Sequence, residues 1–131
     1  MTACIRIWVA GALAACLVTI GCGPPPNVTA TGTVLQSGKP VAMSPQGVVQ
    51  VTLKPDVPPD KEFTTRVGRC DASGKFEILD VPPGPYIVGI EQLDPTPMSD
   101  KLGGRLTYGN SKIKREVDGK TPLTIDLAKP E

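Results

Sequence analysis

The sequence predicts an all-β fold, an antiparallel β-sandwich of seven strands, and three observations carry that expectation. After residue 22 no stretch sustains the 3.6-residue apolar period of a helix, whereas alternation with period two recurs. With 14 Gly and 15 Pro in 131 residues, the chain is rich in turn formers and helix breakers. These residues, joined by Asp, fall between the alternating runs, at the short spacing typical of sandwiches.

Residues 28–35 form the first expected strand, closed by the turn Gln36-Ser37-Gly38-Lys39-Pro40. In the second, residues 48–54, Val49, Val51 and Leu53 alternate with Gln50, Thr52 and Lys54, and Pro55, Pro58 and Pro59 then break the chain. The third, residues 61–70, puts Phe63, Thr65 and Val67 on one face, and Asp71-Ala72-Ser73-Gly74 follows as a tight turn. Phe76 and Ile78 point inward on the fourth. After the turn Val81-Pro82-Pro83-Gly84-Pro85, Tyr86, Val88 and Ile90 do so on the fifth. The sixth, residues 112–117, turns Ile113 and Val117 inward; the seventh, residues 121–128, does the same with Leu123, Ile125 and Leu127. Asp118-Gly119 is expected to join these last two as a hairpin. About sixteen inward apolar side chains suffice for a domain of this size to fold without metal or disulfide.

The N-terminus follows a different logic. Arg6 is the one charge in residues 1–22, and residues 7–21 are a continuous apolar run. That run is shorter than the roughly 20 residues a spanning helix needs and suits the core of a secretion signal. It stops at Gly21-Cys22-Gly23, and Pro24-Pro25-Pro26 follows, which no helix crosses. A short basic start, an apolar core and a small residue before Cys resemble the bacterial lipoprotein signal. The resemblance implies cleavage before Cys22, a diacylglyceryl group on its sulfur, and a further acyl chain such as palmitate on the new amine. Thr19 stands where such signals usually carry Leu. Leu13-Ala14-Ala15-Cys16 meets that preference but leaves a 15-residue signal and the apolar residues 17–20 on the mature chain, so Cys16 is the alternative acceptor and an uncut anchor a third reading.

The expected organisation is therefore a signal over residues 1–21, a lipidated Cys and Pro-rich tether over 22–27, and a β-sandwich domain over 28–131. One acyl chain holds a protein only marginally, and two or three on one Cys hold it durably. Cleavage leaves 110 residues, removes Arg6 and takes the formal charge from +1 to 0. A neutral domain has no general pull on nucleic acid.

Several segments then match one known pattern. Gly32-Thr33-Val34, Gly38-Lys39-Pro40-Val41, Asp71-Ala72-Ser73-Gly74-Lys75-Phe76 and Val81-Pro82-Pro83-Gly84-Pro85-Tyr86-Ile87-Val88 resemble the carboxypeptidase regulatory-like domains of the transthyretin-like (prealbumin-like) group. The likeness covers residues 28–91 well and 111–127 loosely. It implies a Greek-key sandwich with transthyretin-like or Ig-like architecture. It implies no activity, because the motif residues build turns and core.

Composition excludes much chemistry. The chain contains no His, which removes Ser-His-Asp and Cys-His nucleophiles, His zinc sites and HExxH peptidases. No catalytic residue, metal site or cofactor is expected. Cys70, beside Arg69, reads as a small filler at a strand end, with intermolecular pairing or reactivity as lesser alternatives. Asp71, Glu77 and Asp80 lack calcium-loop spacing and read as turn chemistry. Gly119-Lys120-Thr121 lacks the upstream glycine of a phosphate-binding loop.

The remaining candidates lie in one region. Lys101, Arg105, Lys112, Lys114 and Arg115 fall in a stretch without an acidic residue, and Tyr108 is the one aromatic not assigned to the core. Their first part belongs to the longest irregular segment, residues 92–110, and long loops in small domains often carry function. The expected function is a membrane-anchored, non-enzymatic interaction or structural module at the extracytoplasmic face of the cell envelope, with an envelope partner. The alternative is a polysaccharide- or peptide-binding module that uses this loop and the basic stretch.

Overall fold

In the computed structural model, which describes residues 21–131, the alternating runs form two β-sheets with no helix among the described residues. Residues 1–20, which hold Cys16 and all but Gly21 of the expected signal and of the apolar run 7–21, lie outside the described residues. One sheet contains β1 (Val28–Gln36), β2 (Lys39–Pro40), β5 (Lys75–Val81) and β8 (Leu123–Asp126). The other has the order β4 (Arg66–Arg69), β3 (Val48–Pro55), β6 (Gly84–Leu93), β7 (Lys114–Val117).

Period two decides which side chains meet between the layers. Ala30 and Val34 of β1, Phe76 and Ile78 of β5, and Leu123 and Ile125 of β8 face Val49, Val51 and Leu53 of β3 and Tyr86, Val88 and Ile90 of β6. All are buried, and each large aliphatic side chain so placed contributes about 1.5–3 kcal/mol relative to exposure. The Tyr86 hydroxyl donates to the Pro82 carbonyl at 2.6 Å, bracing the turn that carries the chain from β5 to β6. Burial pushes that hydroxyl's pKa up from its usual value.

Turn chemistry fixes the connections. Ser37 and Gly38 both take positive φ (52° and 76°), the geometry of a two-residue hairpin between β1 and β2. The Asp126 carboxylate accepts from both of their amides, at 2.9 and 2.8 Å, and so ties this hairpin to the end of β8. At Asp71, the carboxylate accepts from Ser73 N, Ser73 Oγ and Lys75 N, closing the turn into β5.

Four expectations are corrected. The structure has eight strands rather than seven, because Lys39 and Pro40 pair with Gln36 and Leu35 as a two-residue strand. The pairing is not wholly antiparallel: β8 runs parallel to β1, with Gly32 opposite Leu123 and Val34 opposite Ile125. Asp118-Gly119 does not close a hairpin, since β7 pairs with β6 and β8 with β1, so this turn carries the chain between sheets. The third strand shrinks from 61–70 to Arg66–Arg69, and its inner face is the opposite one.

Val67 is 51% exposed and Phe63 45%, whereas Gly68 points into the sandwich. A methyl on Gly68 would stand 2.6 Å from Ile78 Cγ1, so only a missing side chain lets the edge strand close over β5. The sixth and seventh strands are also shorter than expected, and Leu127 lies just past β8, half-buried against the core.

Candidate functional site

Between β6 and β7 the chain does not wander free of the sheet; it is strapped along the edge of β6. Asp100 starts the strap, its carboxylate accepting from Gln92 N at 3.0 Å, Leu102 N at 3.0 Å and Gly104 N at 2.8 Å. Leu102 is buried as an apolar anchor. Ile90 N then donates to the Leu106 carbonyl at 2.6 Å, and Val88 N to the Ile113 carbonyl at 2.9 Å. The buried Ser111 hydroxyl donates to the Val88 carbonyl at 2.6 Å. Residues 106–113 thereby continue the edge that β7 occupies lower down β6.

This path gathers basic side chains that are separated in sequence. Arg105, Lys112, Lys114 and Arg115 line one cleft of about 470 Å³. Leu106, Ile113 and Pro130 supply its apolar lining, and Asn110 and Glu131 are its remaining polar members. The Arg105 guanidinium donates through Nε to the Leu102 carbonyl at 3.1 Å. The Arg115 guanidinium donates to the Lys114 carbonyl at 2.8 Å and the Glu131 carbonyl at 3.3 Å. Among the described residues the one ion pair is Lys114 Nζ to Asp56 at 3.0 Å; with Glu131 in the lining, four basic side chains meet two acidic ones and the cleft keeps a net positive charge. A concave site with an apolar lining and a few cations suits a ligand that pairs an oxyanion with a small apolar portion.

The six expected residues separate into two groups. Arg105, Lys112, Lys114 and Arg115 share the cleft, whereas Lys101 and Tyr108 do not line it. Lys101 is exposed nearer the start of the loop, where its amide donates to the Gln92 carbonyl at 2.8 Å. Tyr108 lies across Gly89 of β6, on the outer face of the sheet, and serves as cover. Residues Asn110, Leu106, Pro130 and Glu131 were not expected here. The Leu102 anchor and the Ser111 hydroxyl that shape the strap leave no local sequence pattern by which they could be found.

Other candidates resolve into structure. Asp118 accepts from Thr121 N and Lys120 N, each at 2.7 Å, and from Thr121 Oγ1 at 2.8 Å, so Gly119-Lys120-Thr121 is a carboxylate-stapled turn. Those backbone donors hold its pKa down to about 2. Asp94, stapled to Ser44 through that residue's hydroxyl and amide, and Asp126, through backbone amides, are likewise held below the usual carboxylate range. Asp71 is lowered chiefly by its hydrogen bond from Ser73.

Asp80 accepts from Asn27 Nδ2 at 2.6 Å, and no group of three or more metal-binding side chains occurs among the described residues. Cys70 is buried, and desolvation with the adjacent Asp71 charge pushes its thiol up to about 11, far from a reactive thiolate. Cys22 is exposed. A second concavity, of about 610 Å³, lies on the first sheet, where Thr31, Thr33, Lys75 and Glu77 mix both charges.

Compared with protein-family models, with curated proteins and with solved structures, the chain matches none.

Proposed function

We propose that this protein is a lipid-anchored, non-enzymatic β-sandwich module of the cell envelope, acylated on Cys22 and acting through contacts with an envelope partner. The observation that carries the reading is the contrast between the two described cysteines. Cys22 is exposed on the extended segment 21–27, directly after a signal-like apolar run, while Cys70 is buried with a raised pKa. Pro24-Pro25-Pro26 stiffens the link from that sulfur to Val28, where β1 begins. We further propose that the sandwich belongs to the Greek-key, transthyretin-like class. In support, the chain changes sheets at β2–β3, β4–β5, β5–β6 and β7–β8.

Membrane fractionation of wild type and Cys22→Ser, with intact mass of the extracted protein, tests the anchor. Wild type is expected in the membrane fraction with added acyl mass and Cys22→Ser outside it; a Cys22→Ser chain that stays with the membrane overturns the reading.

A second reading, a polysaccharide- or peptide-binding module, draws on the convergence of four basic side chains in one cleft. Glycan-array retention that is lost in Lys112→Ala and kept in Tyr108→Ala would favour it.

A further inference from the structure

We propose that the basic cleft beside β7 takes the phosphate of an anionic lipid headgroup in the membrane that holds the Cys22 anchor. The proposal rests on the lipid-anchor reading. Its first support is position. The turn after β7 meets the base of the tether, since a methyl on Gly119 would stand 2.6 Å from Val28 Cβ. From that turn, Arg115 and Lys114 lie three to four residues up the strand, about 10–13 Å at strand rise. The tether, residues 22–27, spans roughly 19 Å when extended as polyproline. The domain can therefore lean onto its β7 edge and bring the cleft to the headgroups without stretching the link.

Charge decides which way it leans. Around the tether's entry stand Asp80 and Asp118, against Lys120 and Arg66, whose guanidinium donates to the Asp80 carbonyl at 3.0 Å. Two acids against two bases give an anionic surface no net pull on that end. Such a surface attracts the cleft above, where Arg105, Lys112, Lys114 and Arg115 outnumber the two nearby acids, Asp56 and Glu131. The cleft itself has a concave shape and an apolar lining, which a headgroup phosphate with its glycerol carbons fills better than a bare ion does. Anchoring supplies the remaining affinity: a tethered site sees its headgroups at high effective concentration, so weak pairing with each phosphate is enough.

The test places the acylated full-length chain on phosphatidylcholine vesicles with and without phosphatidylglycerol. Amine labelling is followed by mass spectrometry. Labelling of Lys112 is expected to slow about fivefold on the anionic vesicles and to recover at high salt, with Lys39 at the far hairpin unchanged. The Arg105→Gln chain should lose part of that protection.

Equal labelling of Lys112 on both vesicles, with the chain still bound, overturns the cleft proposal and leaves the anchor standing. A chain that washes off phosphatidylcholine vesicles overturns the anchor, and the proposal with it. Protection by soluble glycerol phosphate on phosphatidylcholine alone, equal to that on anionic vesicles, or by an acidic polysaccharide only, overturns the membrane as the source.

Discussion

Each sheet holds a central glycine that a bulky neighbour covers, and the two face opposite ways. Gly32 of β1 faces the core, directly across from Phe76, and a methyl there would stand 2.5 Å from the ring's Cζ and closer still to the Leu123 carbonyl oxygen. Gly89 of β6 faces outward, and a methyl there would meet Tyr108 N at 2.5 Å and its Cα at 2.9 Å. The first glycine makes room for a core ring within the sheet. The second makes room for the strap, and Thr52, the cross-strand partner of Gly89, is buried on the outer face as a consequence. The first sheet keeps a bare polar outer face, with Thr31, Lys75, Glu77 and Thr124 exposed. Close packing within the core is thus a property of both sheets, while a covered outer face belongs only to the one that carries the cleft.

That contrast can be broken experimentally. Gly32→Ala is expected to have the largest effect, a loss of about 3 kcal/mol or more, because neither the Phe76 ring nor the Leu123 backbone can retreat. A urea midpoint unchanged from wild type would contradict the inward assignment. Gly89→Ala should cost about 1–3 kcal/mol and act locally, by lifting the strap. Hydrogen exchange of Leu106 through Ser111 should quicken while β1 amides stay protected, and uniform loss of protection would erase the distinction between the two glycines.

Asp118→Asn is expected to do less, and its signature is a pH dependence. The folded pKa of Asp118 is lowered from 3.8 to about 2, so its contribution is present above 3.8 and is lost as pH falls through that window. The melting temperature of wild type should therefore fall more steeply than that of the variant between 3.8 and about 2. Identical slopes would remove the carboxylate from the account of this turn. Val67→Thr, on the exposed outer face beside Thr52, should change stability by no more than about 0.5 kcal/mol. A large loss there would mean that the outer face of β4 is buried as well.

How far the sequence was legible follows from the range of the forces involved. Val49, Val51 and Leu53, like Tyr86, Val88 and Ile90, alternate because successive side chains on a strand point to opposite faces, a local rule readable in seven residues. The same rule misled at residues 61–70, where the apolar side chains Phe63 and Val67 share one parity but the close contact is made by Gly68. Edge strands are chosen by what their neighbour leaves room for, and Ile78 is ten residues away. The basic stretch was visible as composition. That four of its basic residues share a cleft while Lys101 stays outside depends on Asp100, Leu102 and Ser111 strapping the loop to β6.

By itself the sequence determined an all-β chain, its turns and most of its inward side chains, because backbone sterics and burial act over a few residues. Only the tertiary structure decided that β8 lies parallel beside β1, that Asp118-Gly119 crosses between sheets, and that Arg105 meets Lys112, Lys114 and Arg115. Those outcomes depend on which edges and carbonyls distant segments find unpaired, and no window of neighbouring residues contains that information.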